Sequence, residues 1–193
     1  MDKLFKLYLD ELLEWNKKFN LTAVADPAEI KTRHFEDSLS VLKVIDLSHQ
    51  SVLDIGPGAG FPGLPLKIVR PHIKLTLLES TRKKCDFLKH LVQKLNLKEV
   101  EVVWGRAPEW KSPQKFQVVL ARAVAKLPEL VEWCLPYVKP GGVFIALKQD
   151  RVEEEVNEAL KNIKKMGGRL KEIKKVRVGE ITRSLVVIDK VRL

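Results

Sequence analysis

Four glycines, Gly56, Gly58, Gly60 and Gly63, follow an apolar run (Val52, Leu53, Ile55) that carries a single acid, Asp54. Glycine lets a backbone turn sharply and approach a ligand, because it has no Cβ to intrude. Pro62 then opens an apolar stretch with helical character, whose first N–H groups would point at the same place. Strand, glycine turn and helix start form the layout of a nucleotide-type cofactor site. A second acid, Glu79, ends the next apolar run, "IKLTLLES". It follows the glycines by about twenty residues, the offset at which a carboxylate can accept hydrogen bonds from ribose hydroxyls.

Two cofactors compete for this loop. Gly58-Ala59-Gly60-Phe61-Pro62-Gly63 satisfies the G-x-G-x-x-G spacing of dinucleotide binders, which would make the chain an NAD-dependent oxidoreductase. Read from Asp54, the same stretch is acid-x-G-x-G-x-G. That resembles motif I of class I S-adenosylmethionine-dependent methyltransferases, where the acidic strand end lies near the methionine part of the cofactor. Register favours the second reading. Gly56 follows the strand directly, whereas Gly58 comes two residues late for a dinucleotide turn.

The elements that must position these residues are legible in the hydropathy pattern. Strands are predicted at 51–55, 73–79, 100–104, 116–121 and 142–148, with helices at 62–70, 81–95, 127–137 and 151–166. Alternation at this spacing implies βαβ units and a mostly parallel sheet. The tail departs from it: "LKEIKKVRV", a turn at Gly179 and "RSLVVIDKV" read as an antiparallel hairpin. Such a hairpin resembles the last two strands of class I methyltransferases. Before the sheet, Leu4, Tyr8, Leu12, Trp15 and Phe19 recur at helical spacing. Asp26 as N-cap, Pro27 at N1 and Glu29 as capping-box partner start a second helix towards Ile45. The expected fold class is therefore α/β, a Rossmann-like class I methyltransferase with an N-terminal helical extension over 1–50 and a methyltransferase domain over 51–193, together one compact unit.

Composition bounds the function. The 193 residues suffice for one well-buried domain. Two cysteines, Cys85 and Cys134, make no disulfide framework and fall in no metal-ligand spacing, so no metal is expected. Charged residues interrupt the N-terminal apolar pattern, and no stretch approaches a membrane-spanning run, which together predict a soluble cytoplasmic protein. A formal charge of +10 points to a polyanionic partner, although a Lys/Glu-rich thermophile surface is an alternative source of lysines. The densest basic stretch, Lys161 to Lys175, reads as a solvated helix end and turn. Trp104, Trp110 and Trp133 are expected to be core or half-buried, with stacking on a base as their other use.

In an open α/β sheet, ligands bind beyond the carboxyl ends of the strands. "VVLARAVA" and "VFIALKQ" thus bring Arg122 and Lys148 to the reaction, as holders of phosphate, guanine O6 or cofactor, or as salt bridges at the sheet rim. The chain lacks an Asn/Asp/Ser-Pro-Pro-Tyr/Phe sequence for amine methylation and a Pro-Cys pair for covalent attack on a pyrimidine. A nucleophile with a free in-plane lone pair, such as guanine N7, needs neither.

The segments "WNKKFNLTA", "RHFEDSL", "LDIGPGAGFPGLPL", "LLES" with "KKCDFL", "GRAPEW", "ARAVA", "ALKQ" and "RSLVVI" cover nearly the whole chain. In these the chain resembles the bacterial RsmG/GidB family, guanine-N7 methyltransferases of 16S ribosomal RNA. The resemblance implies S-adenosylmethionine as donor, S-adenosylhomocysteine as product, and a target in a decoding-region loop, on free 16S rRNA or the small ribosomal subunit. A monomer is the default. The resemblance also implies donor contacts at Gly56 and Phe61, with Asp54, Gly58, Gly60 and Glu79 completing the site and Arg122 as its arginine. Arg106, Ala107 and Pro108 would approach the adenine. Asn20, Arg33, His34, Lys148 and Arg183 would meet the RNA; Arg122, Lys148 and His34 are the candidates for the reaction centre, with an interhelix hydrogen bond as the alternative role of His34. A non-catalytic RNA-binding module is the remaining alternative.

Overall fold

A computed structural model of the chain describes residues 3–191. Helix α1 (Lys3–Phe19) is followed by α2 (Pro27–Ile30), a π-helical turn (Lys31–Glu36), α3 (Asp37–Leu39) and a 3-10 turn (Ser40–Lys43). Then come β1 (Ser51–Ile55), α4 (Gly63–Val69), β2 (Lys74–Glu79), α5 (Arg82–Lys94), β3 (Val100–Trp104), β4 (Phe116–Arg122), α6 (Leu127–Cys134), β5 (Val138–Gln149), α7 (Glu153–Lys165), β6 (Gly168–Val178) and β7 (Ile181–Lys190). The sheet order is β3-β2-β1-β4-β5-β7-β6. β1 to β5 pair in parallel, and β7 is antiparallel to both its neighbours. Helix α7 crosses over the space that β7 fills on the way back.

Strands β1 and β4 are apolar almost throughout because both faces of the sheet are covered. On one face α4 and α5 pack together with Phe5, Tyr8, Leu12, Ile30 and Phe35 of the N-terminal segment. On the other, α6 and α7 enclose Leu53, Val119, Phe144 and Val186. The N-terminal helices are thus part of one of the two core layers and touch α4 and α5 directly.

The second helix departs from expectation. Asp26 does cap it, accepting from the Glu29 N–H at 2.8 Å, and Pro27 stands in its first turn. It does not run on as a regular helix to Ile45. Between Lys31 and Glu36 the turn widens, and the Asp37 N–H reaches back to the Thr32 carbonyl. A π turn inserts one residue into the helical register and is frequent at functional sites. Arg33 and His34 lie on this turn, with the Arg33 carbonyl and the His34 ring against Arg122 at the end of β4.

Candidate active site

Leaving β1, the chain turns through Gly56, Gly58 and Gly60 with φ of 67°, 59° and 104°. What a side chain would meet separates the three. A Cβ at Gly56 would lie 2.8 Å from Val124 Cγ2, and one at Gly60 would run into the Tyr8 hydroxyl and Leu64 Cδ1. At Gly58 there is nothing within 4 Å. The fold itself needs glycine at 56 and 60, whereas the space above Gly58 is open.

The loop is held from below. The Gly58 N–H donates to Glu79 Oε2 at 3.0 Å, and the Gly63 N–H donates to Asp54 Oδ2 at 2.7 Å. The Tyr8 hydroxyl donates to the Ala59 carbonyl at 2.7 Å, and its ring stacks on Phe61 at 5.4 Å. Both predicted acids are therefore buried under the loop. Glu79 also accepts from the Thr81 N–H at 2.8 Å. Burial pushes Asp54 up to about 7, against the Gly63 N–H and the Arg122 charge that favour its carboxylate, and Asp54 Oδ1 is buried without a partner.

Above the loop lies a cavity of about 970 Å3, bounded by the ends of β4 and β5, the start of β7 and the N-terminal segment. It brings together Gly56, Gly58, Phe61, Arg33, His34, Arg122, Lys148 and Arg183. Asp54, Gly60 and Glu79 stand behind its wall and shape it through the loop. Asn20 follows α1 with φ of 49° and does not line the cavity. Nor do Arg106, Ala107 and Pro108. Their turn closes on the Arg106 carbonyl, and the Ala107 carbonyl accepts from the Tyr137 hydroxyl, which ties it to the opposite core layer.

Three of the cations beside the cavity, Arg122, Arg183 and Lys148, are internally committed. Arg122 Nη1 donates to Asp37 Oδ2 at 2.9 Å and to the Arg33 carbonyl at 3.1 Å, while its guanidinium lies 5.1 Å over the Phe61 ring. Arg183 Nε donates to the other Asp37 oxygen at 2.9 Å. Asp37 is fully buried, so one carboxylate from the N-terminal segment locks the ends of β4 and β7 together. Lys148 Nζ lies 2.7 Å from Glu155 Oε2 and donates to the Ala125 carbonyl at 3.0 Å. The salt bridge at the sheet rim is what Lys148 forms. His34 Nε2 is 2.9 Å from the hydroxyl of Thr22, which lies in the loop between α1 and α2, so the bond joins helix to loop and not helix to helix, and the His34 ring stacks on Phe61 at 4.6 Å. Burial and the Arg122 charge pull it down to about 4, so the ring is neutral. Asp37 stands within "RHFEDSL", but nothing in the sequence marks it as the partner of two arginines; Tyr8 reads there only as part of an apolar stripe, and Glu155 carries no local signal.

The family described as GidB, rRNA small subunit methyltransferase G, matches residues 1–186. The chain belongs to this family. A ribosomal RNA small subunit methyltransferase G of Desulforamulus reducens is 46% identical over 97% of this chain and 81% of its own length. Among solved structures, a methyltransferase from Pyrococcus furiosus superposes with a TM-score of 0.70 at 18% identity, covering 97% of this chain and 98% of that one. TYW2 of M. jannaschii, solved in complex with AdoMet, gives 0.65 at 16% identity, covering 83% and 76%. The GidB chain thus has the class I methyltransferase fold. Its insertion of an antiparallel β7 between β5 and β6 departs from the 3-2-1-4-5-6 order of dinucleotide-binding sheets, and the oxidoreductase alternative has no support. Among the described residues no His, Cys, Asp and Glu cluster could hold a metal, and no helix is long and apolar enough to cross a membrane.

Proposed function

We propose that the chain transfers a methyl group from S-adenosylmethionine to N7 of a guanosine in 16S ribosomal RNA. The observation that carries the reading is the cavity, left open by Gly58 on the loop side and rimmed by Arg33, Arg151 and Arg183. Gly56, Gly58 and Phe61 would hold the donor, with Glu79 bracing the Gly58 turn from beneath. Its residues fit such a group: a bare backbone faces the cavity, and the buried Asp54 beneath has an oxygen to spare.

S-adenosylmethionine supplies a methyl carbon on a sulfonium, which leaves as a neutral thioether once the carbon has bonded to nitrogen. The N7 lone pair lies in the purine plane, so no base is required to free it. His34 accordingly has no proton to give or take. Backed by the buried Phe61 ring on which it stacks, the His34 ring lines the cavity as a flat surface that can orient a purine. The purine becomes positively charged as N7 is methylated, and unmatched cations beside it would oppose the reaction. Asp37 is shared by Arg122 and Arg183 and Glu155 matches Lys148, which lowers part of that opposition. Arg122 and Lys148 act as positioning residues, and alignment supplies most of the catalysis.

The charge of +10 supports an RNA partner. An exposed loop suits the chemistry, because N7 lies out of reach in the deep, narrow major groove of A-form RNA. Incubation of 16S rRNA with enzyme and donor, followed by borohydride reduction and aniline cleavage, should cut the RNA at one guanosine. Absence of cleavage on both free RNA and small subunits rejects the proposal. The alternative of a non-catalytic RNA-binding module has no observation in its favour.

A further inference from the structure

The first turn of α5 carries three cations in succession, Arg82, Lys83 and Lys84, and no acid. They stand at the end of the helix where unpaired N–H groups already concentrate positive charge, so they oppose the helix they begin. Thr81, the N-cap, makes no side-chain bond to relieve it. None of the three is ion-paired among the described residues; of the acids near in sequence, Glu79 is taken up by the Gly58 and Thr81 N–H groups and Asp86 lies a turn further on. An arrangement that works against its own helix calls for an anion from outside.

Two exposed aromatic rings flank the same turn. Trp104, which ends β3, is 60% exposed rather than packed as the sequence suggested, and the Arg82 guanidinium lies 5.1 Å over its ring. Its Nε1 donates to the Ser80 carbonyl at 3.0 Å, which fixes the ring in place. Phe19, which ends α1, is 39% exposed, with Lys83 Nζ 5.6 Å from its ring. Successive helical residues point about 100° apart. Arg82, Lys83 and Lys84 therefore fan across the helix end, from Trp104 through Phe19 to Lys84 on the cavity wall.

We propose that this strip binds single-stranded RNA flanking the target nucleotide, with phosphates on Arg82 and Lys83 and an unstacked base on Trp104. Cations that follow a backbone, interleaved with fixed rings, are the means by which proteins hold single strands without reading sequence. A duplex would offer the phosphates but no free base face. The strip rests on the reading of the chain as an RNA-directed enzyme and adds where the substrate strand runs.

The test uses fluorescence anisotropy with a labelled purine-rich RNA of about 12 nucleotides, as single strand and as duplex, beside calorimetry with S-adenosylhomocysteine. Trp104→Ala should weaken single-strand binding by about 5- to 150-fold, the equivalent of one stacked base, and Trp104→Phe should recover most of it. Duplex and S-adenosylhomocysteine affinities should not change. Arg82→Gln with Lys83→Gln should lower the slope of log affinity against log salt by about 1.4, for two phosphates at ~0.7 each. Unchanged single-strand binding in Trp104→Ala, equal loss on the duplex, or loss of S-adenosylhomocysteine affinity would each overturn the inference, the last by assigning the ring to the donor. Should the wild-type chain bind the strand as described yet methylate no 16S rRNA, the function fails and the strip stands. Methylation by a chain whose variants bind like wild type gives the reverse.

Discussion

Replacing Asp37 with Asn removes the charge that joins three parts of the molecule. Its carboxylate lies 2.9 Å from both Arg122 Nη1 and Arg183 Nε, and it has no exposed surface. Without it two guanidinium groups face each other, with Arg122 14% and Arg183 24% exposed. Breaking a buried pair from one side costs roughly 3–5 kcal/mol. Asn keeps an acceptor oxygen, and Arg183 can turn partly into water, so the expected loss is at the low end, about 3 kcal/mol. For a chain of this size that lowers the melting temperature by roughly 6–12 °C. Denaturant unfolding followed by circular dichroism measures it, with S-adenosylhomocysteine titration on the same samples. Arg183→Gln should cost less than Asp37→Asn. The double variant should fall short of the sum of the two by about 1 kcal/mol or more, because both act on one network. A loss below about 1 kcal/mol in Asp37→Asn, or strict additivity in the cycle, would refute the clamp.

Gly58→Val should leave the fold intact apart from the strain of a β-branched residue at φ of 59°, while filling the open space above the loop. Calorimetry should then find no donor binding, and wild-type affinity would mean that the cofactor sits elsewhere. Tyr8→Phe removes the bond to the Ala59 carbonyl, leaving a buried acceptor unpaired, and should destabilise the chain by roughly 1–3 kcal/mol in denaturant melts; no change would detach α1 from the loop. His34 is held neutral, with its folded value near 4 below its usual 6.5. Its contribution to stability is therefore full above pH 6.5 and lost as pH falls towards 4. An NMR titration of the ring should give a midpoint near 4, whereas an ordinary midpoint would remove the neutral wall from the mechanism. Glu155→Gln leaves Lys148 facing the cavity unmatched, and single-turnover methylation should slow more than donor binding weakens; equal effects would count against the charge-matching argument.

The residues that read correctly from sequence are those whose function is local. A glycine turn between an apolar strand and a helix depends on neighbours a few positions away, and strand–helix alternation leaves a period that needs no partner to be seen. The loop at 56–63, the parallel strands and the hairpin around Gly179 all belong to this class. The π turn at 31–36 does not, because an α-helical and a π-helical backbone share nearly the same residue preferences. There the packing of Phe35 against Phe5 and Tyr8 decided the register.

Charge state and exposure were also decided in three dimensions. Sequence could nominate Arg122, Lys148 and His34 for the reaction, but their partners Asp37, Glu155 and Thr22 come from other segments. The sequence reads Trp104 as core or half-buried, with stacking on a base as its other use. β3 is the edge strand of this sheet, and its last ring has a neighbour on one side only. From the chain alone came the class of fold and the seat of a nucleoside. Folding settled which cations are neutralised and which face outward, because electrostatic pairing depends on distances through space that the order of residues does not encode.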